Sequence, residues 1–200
     1  MPDRKSNLKT GTDISERILD ATEERLITSG YHKLRMRNIA SDCKISVGNL
    51  TYHFPTKESL IYAVVQRLTD FYLKGFKRTL SGKRFQTGSE VESLIEWLLK
   101  DSAKDYTTRL NRELWMLSSH YPKIQREIGD LYHTLTADLA DHLSGKFPHL
   151  SKHKLEKISC LVAILTEGTC VIYGGRYRVP IKSKEINSTI AKIMTEYIES

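Results

Sequence analysis

The chain has 200 residues, of which 40% are hydrophobic and 28% charged, a composition that excludes a disordered or fibrous protein. The longest unbroken apolar run, Cys160–Leu165, is too short to span a bilayer. The first dozen residues contain no apolar stretch, so we expect no signal peptide. Three cysteines without a CxxC pair indicate a reducing, cytoplasmic setting.

The formal net charge of +7 is confined to the N-terminal part of the chain. Residues 1–84 contain 16 Lys and Arg against nine Asp and Glu, whereas residues 85–200 contain 15 of each kind. A basic segment on a neutral body is typical of a protein that binds a polyanion such as nucleic acid. A random scatter of surface charge is the alternative interpretation.

Apolar residues recur three and four positions apart throughout the chain, which predicts helices everywhere. Residues 1–12 are polar and are predicted to form a flexible arm. The first helix is predicted over Ile14–Ser29, and Gly30 suits the left-handed conformation that follows a helix end. Its inward-facing residues are Ile14, Ile18, Ala21 and Leu26.

Two short helices are predicted next, over about Met36–Cys43 and Val47–His53. A tight turn joins them, and Pro55 ends the second. Thr56 is a candidate cap for a long fourth helix that reaches Leu80. Its apolar stripe consists of Leu60, Ile61, Val64, Val65, Leu68, Phe71, Tyr72, Phe76 and Leu80.

The rest of the chain is predicted to contain five more helices, which makes about nine in total. They cover about Ser89–Ala103, Tyr106–Ser119, Pro122 to about residue 144, Ser151–Tyr173 and Ser183–Glu199, with loops at residues 81–88 and 145–150. The expected fold class is therefore all-α, with an N-terminal three-helix domain and a larger C-terminal helical bundle.

Two short helices joined by a tight turn, between longer helices, are typical of a helix-turn-helix. Ile39 and Ala40 fit its buried face, Ile45 fills the turn, and Leu50 anchors the second helix. Ser46 is placed to cap that helix, whose free N–H groups can then face a phosphate. The outward candidates for contact with base edges and phosphates are Val47, Asn49, Thr51, Tyr52 and His53. An ordinary helical hairpin is the alternative.

Many spaced positions between residues 14 and 65 agree in register with one family pattern. They are Ile18, Leu19, Ala21, Gly30, Tyr31, Ile39, Ala40, Ile45, Ser46, Gly48, Leu50, His53, Phe54, Lys57, Glu58 and Leu60. On these residues the segment resembles the DNA-binding domain of the tetracycline-repressor (TetR) family. Residues 66–200 match only in length and helical content, as the variable ligand-binding half of that family does.

The resemblance implies that the second short helix reads the major groove, that Lys57 binds phosphate, and that the start of the first short helix also touches DNA. The DNA-binding residues expected in this way are Arg35, Met36, Arg37, Ser46, Val47, Gly48, Asn49, Thr51, Tyr52, His53 and Lys57. For Tyr52 and His53, packing against a neighbouring helix is the alternative.

The sequence departs from the family pattern at several positions in this segment. Arg35 stands where threonine is common, and Cys43 and Lys44 stand where the family often has alanine and glycine. Thr51 replaces the usual tyrosine, with Tyr52 beside it, and Arg25 replaces an apolar residue of the first helix. These departures leave the expected fold unchanged, but they bear on individual base contacts.

The resemblance also implies a domain organisation: a flexible arm over residues 1–12, a DNA-binding domain over 13–55, and a ligand-binding and dimerisation domain over 56–200. The last two helices are apolar on more than one face, which implies a partner, either a second copy or a deep monomer core. The expected dimer-interface residues are Leu161, Ile164, Gly168, Ile186, Ile190, Ile193 and Tyr197.

A small effector molecule, apolar or amphipathic, is expected in the larger domain because the family binds ligands there. Candidate pocket residues are Trp97, Tyr106, Trp115, Met116, His120 and Tyr132, with a core or surface position as the alternative for each. Neither a metal nor a cofactor is expected, because the one pair at a metal-site spacing, His149 and His153, is separated by the predicted loop before Ser151. Glu167 is the one ionisable residue within an apolar helix.

No enzyme signature is found, since the chain contains no GxSxG, HExxH, phosphate loop or dinucleotide fingerprint. We therefore expect a homodimeric, cytoplasmic transcriptional regulator that binds a near-palindromic DNA operator and is modulated by a small ligand. Repression is the expected outcome, and activation is the alternative. Two other classes stay open: a DNA-binding scaffold controlled by a protein partner, and a helical ligand-binding or catalytic domain with an incidental basic segment.

Overall fold

In a computed structural model of the chain, residues 14–82, 91–175 and 177–199 are described. These residues form nine α-helices and no strand. The helices are α1 (Ile14–Ser29), α2 (Met36–Asp42), α3 (Val47–His53), α4 (Lys57–Leu80), α5 (Val91–Ser102), α6 (Asp105–Ser118), α7 (Pro122–Lys146), α8 (Lys152–Thr169) and α9 (Ser183–Glu199). The all-α prediction is confirmed. The predicted arm and most of the predicted loop at 81–88 lie outside the described residues.

Two short elements differ from the predicted pattern. A single 3₁₀ turn, Tyr31–Lys33, follows α1, and α8 ends at Thr169 instead of continuing as an α-helix to Tyr173. The chain proceeds from Thr169 as a π-helical turn, Cys170–Gly174. Hydrophobic periodicity cannot distinguish a π turn from the last turn of an α-helix, because the two differ by only one residue per turn.

The predicted cap at the start of α4 is formed, whereas the end of α1 differs from the prediction. Gly30 follows α1 with a φ of 77° and a ψ of 163°, a positive-φ conformation that favours glycine but is not the left-handed helical stop that was expected. At the start of α4, the Ser59 N–H donates to Thr56 Oγ1 at 3.0 Å, and the Thr56 N–H donates to Ser59 Oγ at 3.1 Å. This reciprocal pair satisfies two backbone donors at the helix start.

The chain divides into two compact units, each of which consists of two segments that are separate in the sequence. The first unit comprises the chain up to Phe71 together with Arg109–Ile128, and the second comprises Tyr72–Thr108 with Gly129–Ser200. Helix α4 therefore contributes to both units. The predicted domain boundary at residue 56 lies just before α4, and as a functional division it stays a prediction.

In the first unit, α1, α2 and α3 pack in sequence, with α2 against both of its neighbours. The apolar residues that the sequence placed on the inner face of the helix-turn-helix are fully or almost fully buried, including Ile39, Ala40 and Leu50. The other buried apolar residues of α1 and α4 in this unit are Ile18, Leu19, Leu26, Leu60, Ile61, Val64, Val65 and Leu68.

A polar contact joins α1 to α4 in the same unit. The Arg67 guanidinium of α4 lies 3.0 Å from Glu16, 2.8 Å from Asp20 and 2.9 Å from Glu23, all on α1. Only 16% of the Arg67 side chain is exposed, so these contacts lie in a partly desolvated position where ion pairs are less screened than on an open surface. Arg67 thus contacts three carboxylates of α1 within the unit.

In the second unit, α5 packs against α8 and α9. The buried apolar residues that form its core are Leu80, Val91, Leu94, Ile95, Leu99, Leu139, Ala140, Leu143, Leu155, Ile158, Val162, Ala191, Met194 and Ile198. These residues recur at helical spacing on every helix that contributes to the core, as the sequence pattern predicted.

The π-helical turn brings Gly174 against Thr108 of α6. A Cβ atom added at Gly174 would lie 1.8 Å from Thr108 Oγ1 and 2.8 Å from Thr108 Cβ, closer than non-bonded atoms can approach. Thr108 is itself buried, so it has little room to move. The absence of a side chain at Gly174 is therefore required by packing.

We predict that Gly174→Ala lowers the free energy of unfolding by about 1–3 kcal/mol, because the added methyl overpacks a closed site. Thermal or urea unfolding of the full chain measures the change. Gly129→Ala is the matched control, since a Cβ at Gly129, within α7, meets no atom within 4 Å. That control should be neutral or stabilising by up to about 1 kcal/mol. Equal stability of the two variants would contradict this account of the turn.

Candidate nucleic-acid interface

The turn between α2 and α3 has the compact geometry that the sequence predicted. The Ile45 N–H donates to the Ala40 carbonyl at 3.0 Å, and Ile45 is partly buried. Lys44 adopts a φ of 52°, in the left-handed region that costs a residue with a side chain about 1 kcal/mol or more. This explains in physical terms why glycine is common at that position in the family that the segment resembles.

Helix α3 begins with the cap that the sequence predicted. The Asn49 N–H donates to Ser46 Oγ at 3.1 Å, and Ser46 itself is in an extended conformation. At Gly48, an added Cβ would lie 3.8 Å from Ser46 Oγ and within 4 Å of no other side chain that the structure describes. The first turn of α3 is thus open to an approaching ligand, with backbone donors at its end.

The outer face of α3 carries the most exposed aromatic residue of the first unit. Tyr52 is 85% exposed and Val47 is 40% exposed, while Asn49 between them is also exposed. Leu50, on the opposite side of the same short helix, is fully buried. The helix therefore presents an amide, a phenol and an aliphatic group to the exterior, which is the kind of surface that can contact base edges and thymine methyl groups.

Two predicted contact residues of α3 are engaged within the unit. The Thr51 hydroxyl donates to the carbonyls of Val47 and Gly48, at 3.1 Å in each case. His53 is partly buried, and its Nδ1 lies 3.0 Å from Ser15 Oγ of α1. His53 thus packs against α1, and its contact with DNA stays a prediction, whereas the exposure of Tyr52 leaves it available for an external partner.

The residues at the start of α2 lie at the surface. Arg35 and Arg37 are exposed, and Met36 is partly buried. The Arg35 carbonyl accepts the Asn38 and Ile39 N–H groups, at 3.0 and 3.2 Å, so the backbone of Arg35 is fixed while its side chain extends outward. Both guanidinium groups are placed where they can reach a polyanion.

Lys57 contacts Tyr31, which the sequence analysis identified only as part of the family pattern. The Lys57 ammonium donates to the Tyr31 carbonyl at 2.9 Å and lies 3.6 Å from the centre of the Tyr31 ring. Burial lowers the pKa of Lys57 below its ordinary value, the charge of Glu58 opposes this shift, and the charge of Arg35 adds to it. No local pattern predicts this contact, because residues 31 and 57 lie on different elements.

Contacts between α1 and the end of α2 hold the helix-turn-helix in place. Arg17 donates to the Cys43 carbonyl, and the buried Cys43 thiol faces the Arg17 carbonyl at 3.5 Å. Arg25 forms a bidentate ion pair with Asp42, with one N–O distance of 2.8 Å. The hydrogen bond from Arg25 lowers the pKa of Asp42. The polar Arg25 in place of an apolar residue is thus explained by its partner.

The predicted effector-pocket residues fall in different units and environments. Trp115, Met116 and His120 belong to the first unit, whereas Trp97, Tyr106 and Tyr132 belong to the second. Trp97 packs against the core of the second unit, and Tyr106 is 42% exposed. Trp115, Met116 and Tyr132 are partly buried, and His120 is exposed.

A partly buried carboxylate, Glu167, accompanies these aromatic residues in the second unit. Burial raises the pKa of Glu167 above its ordinary value, and a hydrogen bond with Tyr132 acts in the opposite direction. Burial also raises the pKa of Tyr72, whose hydroxyl bonds to Thr107. The sequence pattern assigns Tyr72 to an apolar stripe, because its ring recurs at the same helical spacing as the core residues. The pattern contains no information on the hydrogen bond of its hydroxyl group.

Helices α8 and α9 expose apolar side chains on one side. Among the predicted interface residues, Leu161 is 39%, Ile164 67%, Ile193 58% and Tyr197 40% exposed. Gly168 and Ile186 are partly buried, and Ile190 packs against the core of the second unit. In the part of the chain that the structure describes, no helix is both long enough and apolar enough to cross a membrane.

Comparison with known proteins places the helix-turn-helix in a family. Residues 18–64 match the model of the N-terminal region of the bacterial regulatory proteins of the tetR family. The transcriptional regulator UidR of Escherichia coli (strain K12) is 27% identical over 128 residues, which are 64% of this chain and 63% of UidR. The match thus spans less than two thirds of that relative.

Solved structures extend the likeness of the fold to nearly the whole chain. GusR of Salmonella enterica aligns with a TM-score of 0.70 at 20% sequence identity, over 98% of this chain and all of GusR. The multidrug-binding protein EbrR, solved in complex with ethidium, aligns with a TM-score of 0.68 at 18% identity, over 91% of this chain and 98% of EbrR. At these identities the likeness concerns the fold.

Proposed function

We propose that this chain is a transcriptional regulator of the tetR family that binds DNA through α2 and α3, because residues 18–64 match the model of that family's N-terminal region. The observation that carries the proposal is the surface of α3. Its inner side is closed by the fully buried Leu50, while Asn49 and the 85% exposed Tyr52 face outward from a helix whose start is capped by Ser46. A helix of this size and polarity fits the major groove.

The arrangement of charge supports the same proposal. The exposed Arg35 and Arg37 flank the start of α2, whereas the acidic residues of α1 are engaged by Arg67. The excess positive charge of the N-terminal part is thus left at the surface beside α3, where phosphates of the DNA backbone would bind.

The proposal includes a homodimer, formed by α8 and α9. One apolar stripe of α8 is buried within its own chain, and a second, which includes Leu161 and Ile164, is exposed. Ile193 and Tyr197 on α9 add to the exposed apolar surface. A helix that serves a single core needs one apolar stripe, so the second is best covered by another copy. Two copies would read the two halves of a near-palindromic operator.

A small effector in the C-terminal part, and repression rather than activation, complete the proposal. Its support is the fold likeness to EbrR, which binds ethidium, and the partly buried aromatic residues Trp115 and Tyr132. Helix α4 contributes to both units, so a ligand that favours one position of α4 would change DNA affinity. Control by a protein partner is the alternative. A regulator of this kind would work in the cytoplasm, where the operator is.

We predict that Asn49→Ala and Tyr52→Ala each weaken binding to the preferred operator by about 1–3 kcal/mol, because each removes a contact to a base. The operator is first obtained by selection of sequences bound by the full chain from random DNA, and affinity is measured by fluorescence anisotropy. Binding to unrelated DNA should change little. Tyr177→Ala, which removes another exposed tyrosine, is the matched control. Equal losses on operator and unrelated DNA would exclude base readout.

We predict that Lys57→Ala weakens binding to both kinds of DNA and lowers the slope of log affinity against log salt by about one unit, because one phosphate contact is lost. The salt titration is repeated with Lys184→Ala as the control, because this variant removes one positive charge at an exposed position of α9. A reduced slope in both variants would mean that only net charge matters, and an unchanged slope for Lys57→Ala would remove Lys57 from the interface.

We predict that Ile164→Glu and Ile193→Glu convert the dimer to monomers, because each buries a carboxylate in an apolar interface. Sedimentation velocity measures the oligomeric state, and thermal unfolding of the monomer checks that the fold survives. Lys192→Glu introduces a carboxylate at an exposed position of the same helix and should leave the dimer intact. A dimer that persists in both isoleucine variants would place the interface elsewhere.

A further inference from the structure

Tyr31 is held on two sides by the segment that returns to the first unit, Arg109–Ile128. The Tyr31 N–H donates to Glu113 Oε2 at 2.9 Å. The Tyr31 hydroxyl forms a short hydrogen bond with the Tyr121 hydroxyl, and the two rings meet edge to face with centroids 5.8 Å apart. Backbone and side chain of Tyr31 are therefore both fixed by residues more than 80 positions away in sequence.

Gly30 allows the Glu113 carboxylate to come this close. A Cβ at Gly30 would lie 3.2 Å from Glu113 Oε1, and the φ of 77° already disfavours a side chain there. Glu113 therefore lies directly against the backbone at the end of α1. Two features therefore determine the position of Tyr31: the backbone turn at Gly30, and the Glu113 carboxylate that lies where a side chain at Gly30 would be.

Tyr31 in turn holds Lys57, through its carbonyl and the face of its ring, as described above. One N–H of the ammonium is taken by the carbonyl, and the ammonium keeps further donors for another acceptor. The charge of Glu58 raises the pKa of Lys57 and that of Arg35 lowers it, so the ammonium has charged groups of both signs in its surroundings. A phosphate oxygen could accept one of the ammonium N–H groups that the Tyr31 carbonyl leaves free.

We propose that Glu113 and Tyr121 are positioning residues for DNA binding: they fix Tyr31, and Tyr31 holds the Lys57 ammonium where an operator phosphate binds it. The inference rests on the proposed function and adds a segment outside the helix-turn-helix to the DNA-binding apparatus. It also gives the segment Arg109–Ile128 a direct physical means to change DNA affinity, because any shift of Glu113 would move Tyr31 and then Lys57.

The direction in which operator affinity changes when Glu113 is replaced distinguishes a positioning role from a general effect of charge. Removing the Glu113 carboxylate makes the protein more positive, which by itself strengthens binding to DNA. The positioning role predicts the opposite. Glu113→Ala should lower operator affinity about tenfold and lower the salt slope by about one unit, as the loss of the Lys57 phosphate contact does.

The experiment measures operator affinity across a salt series for the full-length chain and its variants. Glu113→Gln keeps an oxygen that accepts the Tyr31 N–H, so it should bind at least as tightly as the unaltered chain. Glu24→Ala removes an exposed carboxylate of α1 and controls for charge. In the double variant Glu113→Ala with Lys57→Ala, the slope should fall no further than in Lys57→Ala alone.

Tyr121→Phe is a milder second variant that removes only the hydroxyl contact, and it should lower affinity by a smaller factor with the same fall in slope. Circular dichroism and thermal unfolding establish that each variant is folded, and Tyr121→Phe decides the question if Glu113→Ala does not fold. Operator affinity and slope unchanged or increased in both Glu113→Ala and Tyr121→Phe would overturn the inference alone. An unaltered chain without any sequence preference would overturn the proposed function itself.

Discussion

The proposed DNA-reading surface is built on two helices of seven residues each, and helices so short are unstable in isolation. Their persistence depends on burial of Ile39, Ala40 and Leu50 against the rest of the first unit. Once these side chains are buried, the polar contacts around them determine orientation: Arg25 with Asp42 at the end of α2, and Ser46 at the start of α3. The proposed recognition of DNA by α3 therefore depends on the packing of α2 and α3 through these three side chains.

The contacts of the charged side chains in the first unit explain where its positive charge is concentrated. Three acidic residues of α1, which offset part of the basic excess in the sequence, bind Arg67, whose side chain is only 16% exposed. The positive groups that remain near α2 and α3 include Arg35, Arg37 and Lys57. A modest net charge can thus give a locally concentrated positive surface, and local concentration is what governs phosphate binding.

Local sequence patterns were sufficient to predict the all-α fold, the helix-turn-helix and its buried residues, because each depends on periodicity, caps and turn residues close together in the chain. Contacts between distant residues could not be predicted in the same way. No local pattern pairs Tyr31 with Glu113 and Tyr121, places His53 against Ser15, or turns the end of α8 into a π-helical turn. The effector and dimer residues stay predictions, since they concern partners outside this chain.

The central claim is that two copies of the chain read DNA with their α3 helices. Hydroxyl-radical footprinting of the full-length chain on its selected operator tests this claim most directly. The account predicts two protected segments on one face of the DNA, centred about 10 base pairs apart, or a multiple of that distance, and related by the operator's symmetry. A single protected segment, or protection that spreads uniformly along the DNA, would contradict it.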